Sequence, residues 1–200
     1  MSKKRIASFD VDQTLLDHKT YQIPESALRA VNELRKDFYI VLSTGRDMDN
    51  YYSKQYRDVI QPDAVIHLNG TKITVGGELI YEHEMDRTLL KEILDYADKA
   101  GYALGVTIGN EDYYLHPEVV EETDRLRWGR SERRFKDPRS LLDQGVRTLA
   151  YIGKEDGAMD MEKRFPQLKF LMFAGRLGAD VVEREASKAK GLLRLCQYYG

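Results

Sequence analysis

The stretch "RIASFDVDQTLLD", residues 5–17, decides how the rest of this 200-residue chain is read. An apolar run ending at Phe9 leads directly into Asp10 and Asp12, two acids with one residue between them. Neighbouring carboxylates repel, and the pattern makes sense where a bound cation or a reacting phosphate relieves the repulsion. Residues i and i+2 of an extended segment point the same way, so both acids can face one cavity as the strand bends into a loop. One carboxylate can attack phosphorus. The other can protonate the leaving oxygen and later activate water. A calcium-binding loop starting at Asp10 fits poorly, because it needs Gly at position 15 and Glu at position 21, where Leu15 and Tyr21 stand.

Working outward, "IASF" reads as a buried strand and "PESALRAVNELRK" as a helix. Ala27, Val31 and Leu34 recur there at helical spacing, with Pro24 suited to the first turn. "FYIVLSTGR" is a second apolar run that breaks into small, polar residues. "DMDNYYSKQYRD" is helix-like, and "DAVIHLNG" is a third strand. Alternating strands and helices predict a parallel sheet with right-handed crossovers. The reactive residue types all follow strands: Asp10 and Asp12, then Ser43 and Thr44, then Asn69. Parallel sheets bind ligands at that end. In "LSTGR" a hydroxyl and backbone N–H groups between strand and helix make a phosphate cradle, with Thr44 the better donor candidate than Ser43. Arg46 can reach an anion or pair with a nearby acid, and a simple helix-capping turn is compatible with the same residues.

The pattern then changes. "TKITVGGELIYEHE" predicts a hairpin about Gly76-Gly77, and "DRTLLKEILDYADKAG" a helix capped by Asp86 and ended by Gly101. Two strands about Gly109-Asn110 and a later strand–helix–strand unit follow. Residues 83–180 therefore read as an α+β domain inserted into a first domain made of 1–82 and 181–200. "SKAKGLLRLCQYYG" is a final helix capped by Ser187, with Leu192, Cys196 and Tyr199 on one face. Lys188 opens that helix and can hold a phosphate and shield a nucleophile, with Lys190 as its competitor.

Composition narrows the field. Hydrophobic residues make up 42% and charged residues 32%, enough for a globular core. A net charge of −2 gives no overall pull toward nucleic acid or an anionic membrane, so neither is expected as a partner. The single cysteine, Cys196, allows no intrachain disulfide and fits a cytoplasmic setting. The N-terminus reads as a strand rather than a signal peptide, and no run approaches a membrane span. The basic stretch at 125–139 reads as a solvated face. Tyr113, Tyr114 and Trp128 read as core of the second domain. His18, His67, His83 and His116 show no metal-ligand spacing and read as structural or surface residues. Oligomeric state stays open.

Taken in order, "DVDQTLL", "TGR", "NG" and "SKAKGL" resemble the haloacid dehalogenase superfamily. The insert after the third strand resembles the Cof-type branch, subclass IIB, which carries an α/β cap. The resemblance implies an α/β fold with a Rossmann-like core, a parallel sheet and an inserted α+β cap domain. It implies a Mg²⁺-dependent phosphatase acting on a small phosphorylated metabolite through an aspartyl-phosphate. Asp10 would be the nucleophile and Asp12 the general acid/base. Thr44, with Gly45 beside it, and Lys188 would hold the phosphate. Arg46, Asn69 and Gly70 would border the substrate. Mg²⁺ would take a carboxylate oxygen of Asp10 and the backbone carbonyl of Asp12. Gln13 stands where the family usually has Gly. Family members continue past the lysine helix into a strand and a Gly-Asp…Asp loop with a further metal ligand, whereas this sequence stops at Gly200. "YIGKEDGAMDMEK" is not that loop: Lys154 replaces its first Asp, and the segment precedes Lys188. The rival expectation is a non-catalytic protein that binds a phosphate ligand.

Overall fold

A computed structural model describes residues 4–200. The chain is a mixed α/β protein with a parallel core sheet and a second, separate sheet. It divides into two compact units. One runs through His83 and resumes at Ala186–Gly200, and the other is Glu84–Glu185.

The first unit contains β1 (Arg5–Phe9), α1 (Glu25–Leu34), β2 (Phe38–Ser43), α2 (Tyr51–Ile60), β3 (Ala64–His67), β4 (Lys72–Val75) and β5 (Glu78–Glu82). Its sheet order is β1-β2-β3-β4-β5. The β1–β2 and β2–β3 pairs are parallel, and the last two pairs are antiparallel. Gly76 and Gly77 both take positive φ in the β4–β5 turn, as a tight hairpin requires. Side chains alternate across β2. Ile40 and Leu42 join Val31, Tyr56 and Ile60 in one cluster, while Val41 joins Ile66 and Leu195 in another. The final helix α6 (Lys188–Tyr199) lies close against β3: a Cβ added at Gly191 would come within 2.8 Å of Ile66 Cγ2.

The second unit contains α3 (Arg87–Ala100), β6 (Ala103–Ile108), β7 (Glu111–Tyr114), α4 (Pro117–Trp128), β8 (Phe135–Lys136), β9 (Leu149–Ile152), α5 (Glu155–Arg164), β10 (Leu168–Met172) and β11 (Ala179–Glu183). Its six strands run in the order β10-β11-β9-β6-β7-β8, antiparallel except for β7–β8. The Asp86 carboxylate accepts the Leu89 N–H at 2.9 Å to start α3, and Gly101 ends it in the left-handed region. Leu89, Leu90, Ile93, Leu94 and Ala97 form its buried stripe, as the sequence spacing predicts.

Three expectations need correcting, and a fourth holds. The sequence boundary at 180/181 would cut β11, which is hydrogen-bonded to both β10 and β9; the second unit runs on to Glu185. Trp128 is not core but 62% exposed at the end of α4. Residues 125–139, which run from the end of α4 through β8, are mostly exposed, as the solvated reading expects. Cys196 is exposed, whereas Leu192 and Tyr199 do pack against the core, beside the buried Gly191 and Leu195. Among the described residues, no helix is long and apolar enough to cross a membrane.

Candidate active site

The parallel register sets the site. Phe9 pairs with Leu42, and Ser43 pairs with Ile66, so Asp10 and Thr44 emerge from the carboxyl ends of adjacent strands. The Asp10 carboxylate accepts the Val11 N–H on Oδ1 at 2.7 Å and meets Lys188 Nζ on Oδ2 at 2.6 Å. Lys188 is the first residue of α6, whose N-cap Ser187 accepts the Lys190 N–H at 3.0 Å. Gly70 is what allows α6 to start there. It has φ +105°, and a Cβ would lie 2.3 Å from the Ser187 carbonyl oxygen. Asn69, buried and left-handed at φ 57°, donates its N–H to the Thr44 carbonyl at 2.9 Å.

Asp12 sits in a different setting. Beyond Phe9 the chain turns tightly: the Val11 carbonyl accepts the N–H groups of Thr14, Leu15 and Leu16, and exposed Gln13 takes φ 58°. The Arg46 guanidinium grips Asp12 as a fork, with Nε to Oδ2 and Nη2 to Oδ1, each at 2.7 Å. His18 Nε2 lies 2.8 Å from the same Oδ1. Burial works to raise the Asp12 carboxyl, but the hydrogen bonds and charge of Arg46, helped by His18, outweigh it. The carboxyl is held below its ordinary 3.8. Arg46 thus pairs with an acid, one of the two options its position left open.

Thr44 is fully buried. Its N–H goes to the Ile66 carbonyl at 2.9 Å, and its Oγ1 accepts the Arg46 N–H at 3.1 Å, which leaves the hydroxyl proton to donate elsewhere. Gly45 forms the bend between them. Ser43 is buried as the last residue of β2. The structure therefore brings Asp10, Asp12, Thr44, Gly45, Arg46 and Lys188 to one end of the sheet, with Asn69 and Gly70 on the adjoining turn. It also brings in His18, which sequence reasoning set aside. A lone histidine in a polar loop gives no spacing signal, and only the turn geometry carries it back to Asp12.

The donor set suits a hard cation. Asp10 Oδ1 accepts the Val11 N–H, while Lys188 occupies Oδ2; a carboxylate oxygen and the Asp12 carbonyl are ligands of the kind Mg²⁺ takes. A second acidic group, Asp47, Asp49 and His67, offers ligand atoms within 4.8 Å of one another. Its charge is already met. Lys72 Nζ lies 2.6 Å from Asp49 and 3.2 Å from Asp47, and Arg57 also pairs with Asp49.

Residues 7–200 match the family model of haloacid dehalogenase-like hydrolases. The chain belongs to this family. No curated protein matches it. Among solved structures, a phosphatase of the haloalkanoate (HAD) superfamily from Bacteroides thetaiotaomicron superposes with a TM-score of 0.86 at 22% identity, covering 98% of this chain and 73% of its own. A HAD subclass IIB sugar phosphatase gives 0.78 at 22% identity, over 98% of this chain and 76% of its own. A Thermotoga maritima protein gives 0.74 at 19% identity, over 98% and 75%. These similarities place the fold within the Cof-like, subclass IIB branch of the HAD hydrolases.

Proposed function

We propose that this HAD hydrolase is a Mg²⁺-dependent phosphatase that cleaves a small phosphorylated metabolite through an aspartyl-phosphate on Asp10. The observation that carries the reading is the 2.6 Å contact between Lys188 Nζ and Asp10 Oδ2, made across 178 positions of sequence. An ammonium fixed beside a nucleophilic carboxylate offsets the repulsion between that carboxylate and an anionic ester. The other Asp10 oxygen attacks phosphorus, and the bond from phosphorus to the leaving oxygen breaks. Protonated Asp12 gives its proton to that oxygen. Asp12 then takes a proton from the water that attacks the aspartyl-phosphate, which releases phosphate and restores Asp10.

Arg46 and His18 hold resting Asp12 as the carboxylate, the form needed for the second half-reaction. Arrival of the negatively charged phosphoryl group beside it favours its protonation for the first. The Thr44 and Arg46 N–H groups are already donated, so the Thr44 hydroxyl and the Gly45 N–H are assigned to the phosphoryl oxygens. Asp10 and the Asp12 carbonyl would hold Mg²⁺, which would supply charge neutralisation at those oxygens. The inserted unit, Glu84–Glu185, is assigned the family's cap role. A sugar phosphate is the first substrate class to try, given the sugar phosphatase among the structural relatives.

Hydrolysis of p-nitrophenyl phosphate with and without Mg²⁺ tests this. Turnover should require the metal and fall by about 10³-fold or more in Asp10→Asn. Phosphate binding with no turnover in the wild type would instead identify a ligand-binding protein.

A further inference from the structure

His67, the last residue of β3, is fully buried and has no part in the mechanism above. Its Nδ1 accepts the Met48 N–H at 3.0 Å, and its Nε2 lies 3.0 Å from Thr74 Oγ1 on β4. A ring nitrogen that accepts an N–H carries no proton, so the neutral ring is protonated on Nε2 and donates to Thr74. The imidazole is thus a bar joining β4 to the loop after β2. Backbone bonds run alongside it: Thr44 N–H to the Ile66 carbonyl at 2.9 Å, Asn69 N–H to the Thr44 carbonyl at 2.9 Å, and Leu68 N–H to the Arg46 carbonyl at 3.1 Å. These fix the start of the loop. The His67 bond fixes its far end, just past Arg46.

The ring has a competing partner. Asp47 Oδ1 lies 3.2 Å from Nδ1, and Lys72 Nζ lies 3.2 Å from that same oxygen. Asp49 and Arg57 complete the charged surroundings. A protonated Nδ1 would bond Asp47 and lose the Met48 N–H. Burial, with Lys72 and Arg57, opposes that protonation, while Asp47 favours it; the ring is held below its ordinary 6.5.

We propose that His67 is a positioning residue: its Nδ1 holds the far end of the Thr44–Met48 loop against β3 and so sets how Arg46 presents its fork to Asp12. This rests on the reading of Asp10 and Asp12 as the reacting acids. His67→Asn keeps an acceptor near the Nδ1 position, whereas His67→Leu keeps volume and leaves the Met48 N–H unmet. Hydrogen–deuterium exchange of the full chain should show loop amides 44–48 exchanging about tenfold faster in His67→Leu and close to wild type in His67→Asn. With p-nitrophenyl phosphate and Mg²⁺, kcat should fall about tenfold in the leucine variant with KM little changed, and asparagine should restore most of it. Unchanged loop exchange in His67→Leu, or equal losses in both variants, overturns the proposal. If the variants do not fold, ¹⁵N NMR of the wild type decides: an Nε2–H tautomer through roughly pH 7 to 8 is expected, and an Nδ1–H ring overturns it. A wild type inert toward the ester counts against the phosphatase reading alone, because the exchange and NMR measurements involve no substrate.

Discussion

Two arginine forks of the same design occur in the two units. Arg46 grips Asp12 at 2.7 and 2.7 Å, with its guanidinium 5.7 Å from the Tyr56 ring centre. Arg133 grips Asp112 at 3.0 and 2.6 Å, and lies 5.0 and 5.3 Å from the rings of Tyr114 and Phe135. Both use the planar, two-pronged recognition that lysine cannot supply. Their company differs. Asp112 also accepts the Thr107 hydroxyl at 2.6 Å, and Asp124 lies 3.9 Å from Arg133, so that fork ties β6, β7, α4 and the segment before β8 together. The Arg46 fork holds an acid two positions from another acid that already carries an ammonium, and its own N–H reaches a threonine hydroxyl. The shape of an ion pair does not reveal its role; the groups around it do.

Breaking each fork separates the two roles. Arg46→Ala should lower kcat on an aryl phosphate by about 10²-fold, while unfolding free energy in urea changes by about 1 kcal/mol or less. The reverse result, intact turnover with a collapsed fold, would make the two forks equivalent. Arg133→Ala should do the opposite. Loss of about 2 kcal/mol is expected, since Asp112 and Asp124 stay largely buried without their cation, with kcat per folded molecule within about threefold of wild type.

Acid sharpens the contrast further. The Asp12 carboxyl is held below 3.8, so its pair contributes fully above that pH and is lost as pH falls through the lowered folded value. The thermal midpoints of wild type and Arg46→Ala should therefore differ near neutrality and converge in strong acid, a change of about 1 kcal/mol at most. His67 adds an earlier loss. Its folded value lies below 6.5, so its contribution is complete above 6.5 and declines as pH falls below it. The smallest effect belongs to the turn that carries Asp12. Gln13→Gly relieves the cost of φ 58°, offset by the greater freedom of an unfolded glycine, and should stabilise by about 0.5 kcal/mol in the same urea titration.

Much of this arrangement was legible in the sequence, for identifiable reasons. β1, β2 and β3 are apolar runs that stop at polar residues, so their carboxyl ends, and Asp10, Thr44 and Asn69 with them, could be placed without coordinates. Ser187 and Asp86 announced helix starts by chemistry that local sequence controls. Helix α4 was not foreseen, because it buries only Val120 and Asp124 and its charged remainder has no clear apolar stripe. β11 was missed because "ADVVE" is short and stands close to the expected domain boundary. His67 was illegible for a different reason. Its partners Met48, Asp47 and Thr74 come from separate segments, and only strand register brings them to one ring.

The distance in sequence between Asp10 and Lys188 also sets a clock. At a synthesis rate of roughly 5–20 residues per second, Asp10 leaves the ribosome's decoding centre roughly 10–35 s before Lys188 is made. β1, β2 and β3 can pair in that interval, since all three precede the insert. The emerging chain then carries Asp10 without its ammonium until translation passes residue 188, while Asp12 already has Arg46 and His18 near it in sequence.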